Sequence, residues 1–163
     1  MTANVTVRAA DEQEVPLILS LIRELAQFEH LAHEVVASEA LLRQALFGPR
    51  RYAEVVFACL DGAPVGFALY FFSFSTFLGR PGMYLEDLFV RAGARGRGIG
   101  KLLLRWLAAH ALERGCGRLE WAVLDWNADA IAFYLKLGAE FKDEWKTCRV
   151  AGSALDTLAR ARD

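Results

Sequence analysis

The stretch "RAGARGRGIGKLLLRW", residues 91–106, places four glycines and five basic side chains between an apolar run and the start of a helix-like repeat. Glycine lets the backbone approach a ligand more closely than a residue with a Cβ atom allows. The first N–H groups of a helix have no intrahelical partner, and the helix dipole adds partial positive charge at that end. The stretch therefore predicts a strand-to-helix junction that binds a small anion such as a phosphate.

Three glycine-containing phosphate motifs are compatible with this composition, and their spacing distinguishes them. The P-loop requires a glycine where Arg95 stands and a Ser or Thr where Leu102 stands, so it is excluded. The dinucleotide-binding fingerprint requires a third glycine where Lys101 stands, so it fits poorly. The pattern Arg-x-x-Gly-x-Gly is met by Arg95, Gly98 and Gly100. A pyrophosphate-binding loop is the favoured interpretation, and a solvated basic loop is the alternative.

The composition is that of one packed globular domain, which we expect to span residues 1–163. The chain is 55% hydrophobic and carries a formal net charge of −1, so neither a disordered chain nor a nucleic-acid partner is indicated. No apolar run is long enough to span a membrane. The three cysteines lack CxxC spacing, which predicts buried free thiols in a cytoplasmic protein. His30 and His33 have no third ligand nearby, so no metal site is expected.

Hydrophobic periodicity predicts an α/β (α+β) fold with about six or seven strands and about four helices. The predicted helices cover residues 11–28, 38–47, 98–114 and 128–137, with a further helical turn beyond Ser153. The predicted strands cover residues 5–8, 52–60, 65–72, 83–90, 118–124, 140–145 and 147–150. The turn "DGAP" between the second and third strands predicts a hairpin.

The order of these motifs is more specific than any one of them. The series "YLEDLFV", "RAGARGRGIGKLLL", "LEWAVL" and "DWNADAIAFYLKLGAEF" resembles the Gcn5-related N-acetyltransferase (GNAT) superfamily, above all its spermidine/spermine and thialysine acetyltransferase group. With "LIRELAQFE" and "VGFALYFFSF", the resemblance covers roughly residues 7–150. The resemblance implies a single-domain fold with a mixed and mostly antiparallel central sheet flanked by the helices. It implies a homodimeric enzyme that transfers an acetyl group from acetyl-CoA directly to the primary amine of a small diamine, polyamine or lysine-like acceptor. Acetylation of protein or other amino-acid amines, or a non-catalytic acyl-CoA sensor, are the alternatives.

The resemblance also implies which residues bind the cofactor and which carry the chemistry. The cofactor-binding residues would be Leu88, Phe89, Val90, Arg95, Gly96, Arg97, Gly98, Ile99, Gly100, Lys101, Asn127, Ala128, Asp129, Ala130 and Tyr134. Tyr134 matches the general acid beside the cofactor sulfur, and Glu86 matches the residue that binds the amine and removes its proton. A base is needed because an alkylamine titrates at about 10.4 and attacks only when neutral, and an acid is needed to protonate the leaving thiolate.

Several of these residues also have simpler interpretations. Tyr134 could be a core aromatic side chain, and Asn127 could be a helix cap. The apolar neighbours of Glu86 predict that its carboxyl group is partly buried, with a raised pKa. Because side chains alternate along a strand, Asp87 is then predicted to face solvent.

The acceptor residues implied by the resemblance are Phe28, Glu29, Glu86 and Asp143. Ser75 and Phe77 stand where the polyamine enzymes have Asp and Trp. A long polycation needs carboxylates along its channel, since each ammonium group taken from water must be paired. The missing carboxylate therefore predicts that spermine is a poor acceptor and that a shorter diamine or lysine-like amine is preferred.

Overall fold

A computed structural model describes residues 4–161. The chain divides into two compact units, Met1–Ala122 and Val123–Asp163. All of the sheet lies in the first unit. No helix within the described range is long and apolar enough to cross a membrane.

The sheet of the first unit has five strands in the order β1-β2-β3-β4-β5. They are β1 (Val5–Ala9), β2 (Glu54–Leu60), β3 (Ala63–Ser75), β4 (Arg80–Val90) and β5 (Leu119–Trp121). Neighbouring strands from β1 to β4 are antiparallel, and β4 pairs with β5 in parallel. The predicted mixed, mostly antiparallel sheet is confirmed. Its strand number is lower than predicted.

The hairpin between β2 and β3 is confirmed. Asp61 and Gly62 have φ angles of 49° and 86°. Two consecutive positive φ values are the requirement of a two-residue type I′ turn, and Asp-Gly is among the sequences that adopt it most easily. The turn fixes the register in which β2 and β3 pair.

Three α-helices belong to the first unit and two to the second. They are α1 (Val15–Phe28), α2 (Glu39–Phe47), α3 (Ile99–Glu113), α4 (Ala128–Lys136) and α5 (Ser153–Arg160). Asp11 caps the first helical segment, and Glu14 completes a capping box, although the first turn of this segment is a 3-10 turn. Ser38 caps α2 through its hydroxyl group. The turn expected beyond Ser153 is a complete eight-residue helix.

The two terminal strands predicted at residues 140–145 and 147–150 are wrong. Residues 140–150 have no strand structure, and all of them are exposed. Apolar residues such as Phe141 and Trp145 do stand among charged residues there. A strand also needs a hydrogen-bonded neighbour, and no described residue pairs with this segment. The strand predicted at 118–124 is likewise shortened to the three residues of β5.

The main core lies between the sheet and helices α1 and α2. It contains Ile18, Leu21 and Leu25 of α1 with Phe57, Phe67 and Phe89 of the sheet. On the opposite face, Tyr70 of β3 contacts the rings of Trp106 and His110 of α3. Helices thus cover both faces of the sheet. Of the three cysteines predicted to be buried, Cys59 and Cys116 are buried and Cys148 is exposed.

A long-range ion pair connects α1 to the end of β4. Arg91 donates to the carboxylate of Glu24 through Nε, at 2.9 Å, and through Nη2, at 2.7 Å. This hydrogen bonding holds the pKa of Glu24 below its ordinary value, against the opposing effect of burial. Because Arg91 is the first residue after β4, the pair fixes the point at which the glycine-rich stretch leaves the sheet.

Replacing Glu24 with Gln removes this charge pair and tests its contribution to stability. A carboxylate with a lowered pKa stabilises the fold above its ordinary pKa, and that stabilisation is lost as the pH falls through the lower value. We expect Glu24→Gln to lower the free energy of unfolding by about 1 kcal/mol at neutral pH, a figure reduced for the partial exposure of the pair. Denaturant unfolding should show this deficit shrinking in acid. Glu12→Gln, which breaks the exposed pair with Arg43, is the control and should cost less. A deficit that does not change with pH would contradict the assignment.

Candidate active site

An extra residue interrupts the pairing of β4 with β3. Leu69 pairs with Asp87, but the next residue of β3, Tyr70, pairs with Leu85. Glu86 therefore has no partner opposite it and forms a β-bulge. A bulge breaks the alternation of side chains along a strand.

The bulge places two carboxyl groups on one face of the sheet. Paired residues of antiparallel strands point to the same face. Leu85 therefore shares the α3 face with its partner Tyr70, and Phe89 shares the α1 face with its partner Phe67. Side chains alternate on either side of the bulge. Glu86, next to Leu85, and Asp87, two residues before Phe89, therefore both lie on the α1 side.

The burial of Glu86 and Asp87 is the reverse of the prediction. Glu86 is exposed, and Asp87 is half-buried. Burial raises the pKa of Asp87 from its ordinary 3.8 to about 6, and the negative charges of Glu86 and Glu29 add to the rise. The prediction failed because it assumed uninterrupted alternation through the bulge.

Glu29 brings a third carboxyl group to this region. It follows the last residue of α1, and burial raises its pKa. Its charge acts on Asp87, as that of Glu86 does. Asp87 thus lies within electrostatic reach of both other carboxyl groups, which favours binding of an ammonium group, since a cation relieves the repulsion that Asp87 experiences. We call Glu29, Glu86 and Asp87 the carboxylate cluster.

The bulge also marks the place where β4 loses its second neighbour. β5 pairs with β4 only from Met83 to Leu85. Among residues 4–161, no strand pairs with the β5 side of β4 over residues 86–90. Leu88, Phe89 and Val90 lie here, with Phe89 buried in the core and the other two half-buried. An unpaired strand edge can accept an extended ligand that carries amide groups.

The glycine-rich stretch has the conformation that an anion-binding loop requires. Gly96 and Gly98 have φ angles of +74° and +76°, and α3 begins directly after Gly98. The first helical hydrogen bond runs from the Leu102 N–H to the Gly98 carbonyl, and Gly98 offers no side-chain cap. The N–H groups of Ile99, Gly100 and Lys101 precede that bond and are available to a ligand. A pyrophosphate fits this geometry.

The basic residues of this loop have different positions. Arg97 and Lys101 are exposed, whereas Ile99 is buried and anchors the first turn of α3. Arg95 is exposed but not free, because its Nε donates to the Val90 carbonyl at 2.8 Å. Its guanidinium group also lies over the ring of Phe28.

The second unit holds the remaining predicted cofactor residues. The side chain of Asn127 accepts a hydrogen bond from the Ala130 N–H, at 3.3 Å, so its role as the cap of α4 is confirmed. Ala128 and Asp129 are exposed in the first turn of the helix. Tyr134 is half-buried, and its ring lies 5.4 Å from that of Phe133.

The residues predicted to bind the acceptor differ widely in exposure. Phe28 is 38% exposed, and Asp143 of the second unit is exposed. Ser75 is buried, and its hydroxyl accepts from the Leu78 N–H at 3.2 Å, so it stabilises the turn between β3 and β4. Phe77 in that turn is 95% exposed. No group of three His, Cys, Asp or Glu side chains within the described residues is arranged to hold a metal ion.

Comparison with known proteins identifies the family. A profile of the acetyltransferase (GNAT) family matches residues 19–139. The chain belongs to the GNAT acetyltransferase family. The resemblance predicted from the motif order is therefore confirmed, and this GNAT protein is an N-acetyltransferase.

Named relatives and a solved structure agree with the assignment. This GNAT enzyme is 41% identical to thialysine N-epsilon-acetyltransferase of Bos taurus, over 96% of this chain and 98% of the relative. It is 33% identical to L-ornithine N5-acetyltransferase of Arabidopsis thaliana, over 93% and 86% of the two chains. An integron cassette protein from the mobile metagenome of V. cholerae has the same fold, with a TM-score of 0.80, 30% identity and coverage of 96% and 98%.

Two features of the site were not found from the sequence. The bulge at Glu86 has no Gly or Pro to mark it, so the position of Asp87 could not be read from strand alternation. The contact between Arg95 and Phe28 joins residues 67 positions apart, and no local pattern indicates it. For the bulge, the only signal in the sequence was the pair of consecutive carboxylates inside an apolar strand.

Replacing Asp87 with Asn tests whether this carboxyl group lowers the stability of the folded protein. Because its folded pKa is raised, the folded chain binds more protons than the unfolded chain between its ordinary pKa and about 6. Stability therefore falls as the pH rises through that window. We expect Asp87→Asn to have a higher Tm than the parent at about pH 7.5, with the difference disappearing near about pH 4. Asp125→Asn, in an exposed turn, is the control. A lower Tm for Asp87→Asn at neutral pH would contradict this placement.

Proposed function

We propose that this GNAT enzyme transfers an acetyl group from acetyl-CoA directly to the terminal primary amine of a small lysine-like acceptor, with residues 1–163 acting as one catalytic domain. The observation that carries the proposal is the order of three features along β4. This strand carries two residues of the carboxylate cluster at its bulge, an unpaired edge beyond it, and the glycine-rich loop at its end. An amine site, a site for an extended arm and a phosphate site therefore follow one another along one strand.

The donor would bind along the second half of β4 and at the start of α3. Acetyl-CoA supplies a thioester, an extended arm with amide groups, and a pyrophosphate. The backbone of residues 88–90 would hold the arm as an added strand. The N–H groups at the start of α3 would bind the pyrophosphate, with Arg97 and Lys101 adding charge. Asn127 to Ala130 would provide a further contact, although the cap on α4 already occupies the Ala130 N–H.

The glycine-rich loop can be tested with two matched glycines at opposite ends of α3. Gly98 and Gly115 have φ angles of +76° and +71°, and a Cβ atom at either position would meet nothing within 4 Å. Alanine at either position should therefore cost a similar amount of stability, about 1 kcal/mol. Only Gly98→Ala places a methyl group and backbone strain at the proposed pyrophosphate site.

We expect calorimetry to show CoA binding at least about tenfold weaker in Gly98→Ala and unchanged in Gly115→Ala. Thermal unfolding of both variants provides the stability control. Equal CoA affinities in the two folded variants would contradict the donor site. So would a parent protein that does not bind CoA.

The acceptor chemistry requires a base, an acid and a binding site for a cation. Glu86 is exposed at the bulge and would accept the proton of the incoming ammonium group, directly or through water. Glu29 and Asp87 would add negative charge that draws the ammonium group to this position. Tyr134 would protonate the departing thiolate, as its match to the family motif implies. No covalent enzyme intermediate is needed, since both substrates are held together.

The acceptor positions implied by the resemblance favour a short acceptor. Two relatives are named for thialysine and L-ornithine, which carry one side-chain amine on a short stem. Ser75, which replaces a carboxylate of the polyamine enzymes, is buried and already hydrogen-bonded. The turn beside it exposes the neutral Phe77. A long polycation would find no counter-charge at these positions. As the resemblance implies, we further expect a homodimer, and the free cysteines favour the cytoplasm.

An amine panel tests the acceptor class. With acetyl-CoA as donor, release of free thiol should show higher kcat/KM for thialysine, lysine and ornithine than for spermine. Tyr134→Phe keeps the ring and lacks the proton donor, so its kcat should be about 10²-fold lower with every amine while CoA affinity stays unchanged. Spermine as the best acceptor would contradict the short-acceptor proposal. Activity on a protein amine alone would favour the alternative acceptor class, and CoA binding without turnover would favour a sensor.

A further inference from the structure

The side chain of Arg95 is turned back towards the sheet and α1. Its Nε donates to the Val90 carbonyl at 2.8 Å. Its Cζ lies 4.5 Å from the centroid of the Phe28 ring and 5.5 Å from that of Phe89. A guanidinium group within about 6 Å of an aromatic ring is attracted by the negative charge of the ring face. Arg95 therefore contacts two rings and one carbonyl group.

These contacts leave part of the guanidinium group available to a ligand. Among residues 4–161, the hydrogen bond made by the Arg95 side chain uses Nε, and the two terminal nitrogens remain. Both can donate to an anion, because an arginine offers five N–H donors in a fixed plane. Arg95 also begins the Arg-x-x-Gly-x-Gly pattern, one residue before Gly96. Its orientation consequently affects the loop that we assign to the pyrophosphate.

The contact between Phe28 and Arg95 joins two parts of the chain that are far apart in sequence. It is the last residue of α1, 67 positions before Arg95, and its ring is 38% exposed. Phe89, the second ring, is buried in the core and is fixed in place by its neighbours. An arginine loses considerable rotamer freedom when it is ordered. Phe28 limits that freedom before any ligand arrives.

We propose that Phe28 is a positioning residue for the acetyl donor: its ring holds the Arg95 guanidinium group so that the loop is ordered for the pyrophosphate before binding. The inference rests on the proposed acetyl-CoA site. It assigns to Phe28 a role on the donor side, whereas the resemblance implied a role towards the acceptor alone. Ordering in advance removes part of the entropic cost of binding. The aromatic ring is essential to this role, and a tyrosine hydroxyl group is not.

The test measures CoA affinity by calorimetry without any amine, so that acceptor binding cannot contribute. Phe28→Leu and Phe28→Met remove the ring, and both should weaken CoA binding about 2- to 5-fold, the equivalent of an exposed cation–π contact. Phe28→Tyr keeps the ring and should bind CoA like the parent.

A matched control exists at the other end of α3. Phe72 is also 38% exposed, and the Cζ of Arg114 lies 5.6 Å from its ring centroid. Phe72→Leu therefore removes an aromatic–arginine contact of the same kind and exposure. It should leave CoA affinity unchanged. Thermal unfolding of each variant shows whether a loss of affinity reflects a general loss of stability.

A double-mutant cycle with Arg95→Gln decides the mechanism. If Phe28 acts through Arg95, the effect of Phe28→Leu on CoA affinity should disappear in the Arg95→Gln background. Additive losses would overturn the inference, and so would unchanged affinity in both Phe28→Leu and Phe28→Met. Either result leaves the Gly98→Ala comparison intact, so the donor site would stand. A parent protein that fails to bind CoA would overturn both proposals.

Discussion

One additional residue in β4 determines the arrangement of the first unit's chemistry. From Met83 to Leu85, the strand pairs with a neighbour on each side, and beyond Leu85 the pairing with β5 has stopped. The bulge therefore separates a structural half of the strand from a half whose edge is open. It also turns two consecutive carboxyl groups to one face. Neither effect requires an unusual residue, because a bulge is a change of register and not of composition.

The same arrangement carries a cost in stability. Burial and two neighbouring negative charges raise the pKa of Asp87, which means that the ionised form is less favourable in the fold than in water. A protein selected for stability alone would place a neutral side chain there. The ionised Asp87 therefore does not contribute to the stability of the fold. A cation that enters the carboxylate cluster would stabilise the ionised form of Asp87.

The sequence predicted the elements more reliably than the side-chain environments. The helices, the Asp61–Gly62 hairpin and the glycine-rich junction follow from periodicity, capping and turn preferences, which act over a few residues. The burial of Asp87 depends on a register shift, and the position of Arg95 depends on a residue 67 places away, so neither could be predicted locally. The terminal strands failed for a related reason. Large apolar residues such as Phe141 and Trp145 are compatible with a strand, but pairing requires a partner that the local sequence does not specify.

The order of the strands has a consequence for how the first unit folds. β2, β3 and β4 are consecutive in the chain and adjacent in the sheet, and the first connection is a two-residue turn. β1 must instead close a loop containing two helices before it pairs with β2. Since loop closure costs chain entropy before any contact rewards it, we expect the three-stranded meander to form before β1 docks. The bulge lies within that meander. The register that brings the two carboxyl groups to one face would therefore be set early, before the helices cover the sheet.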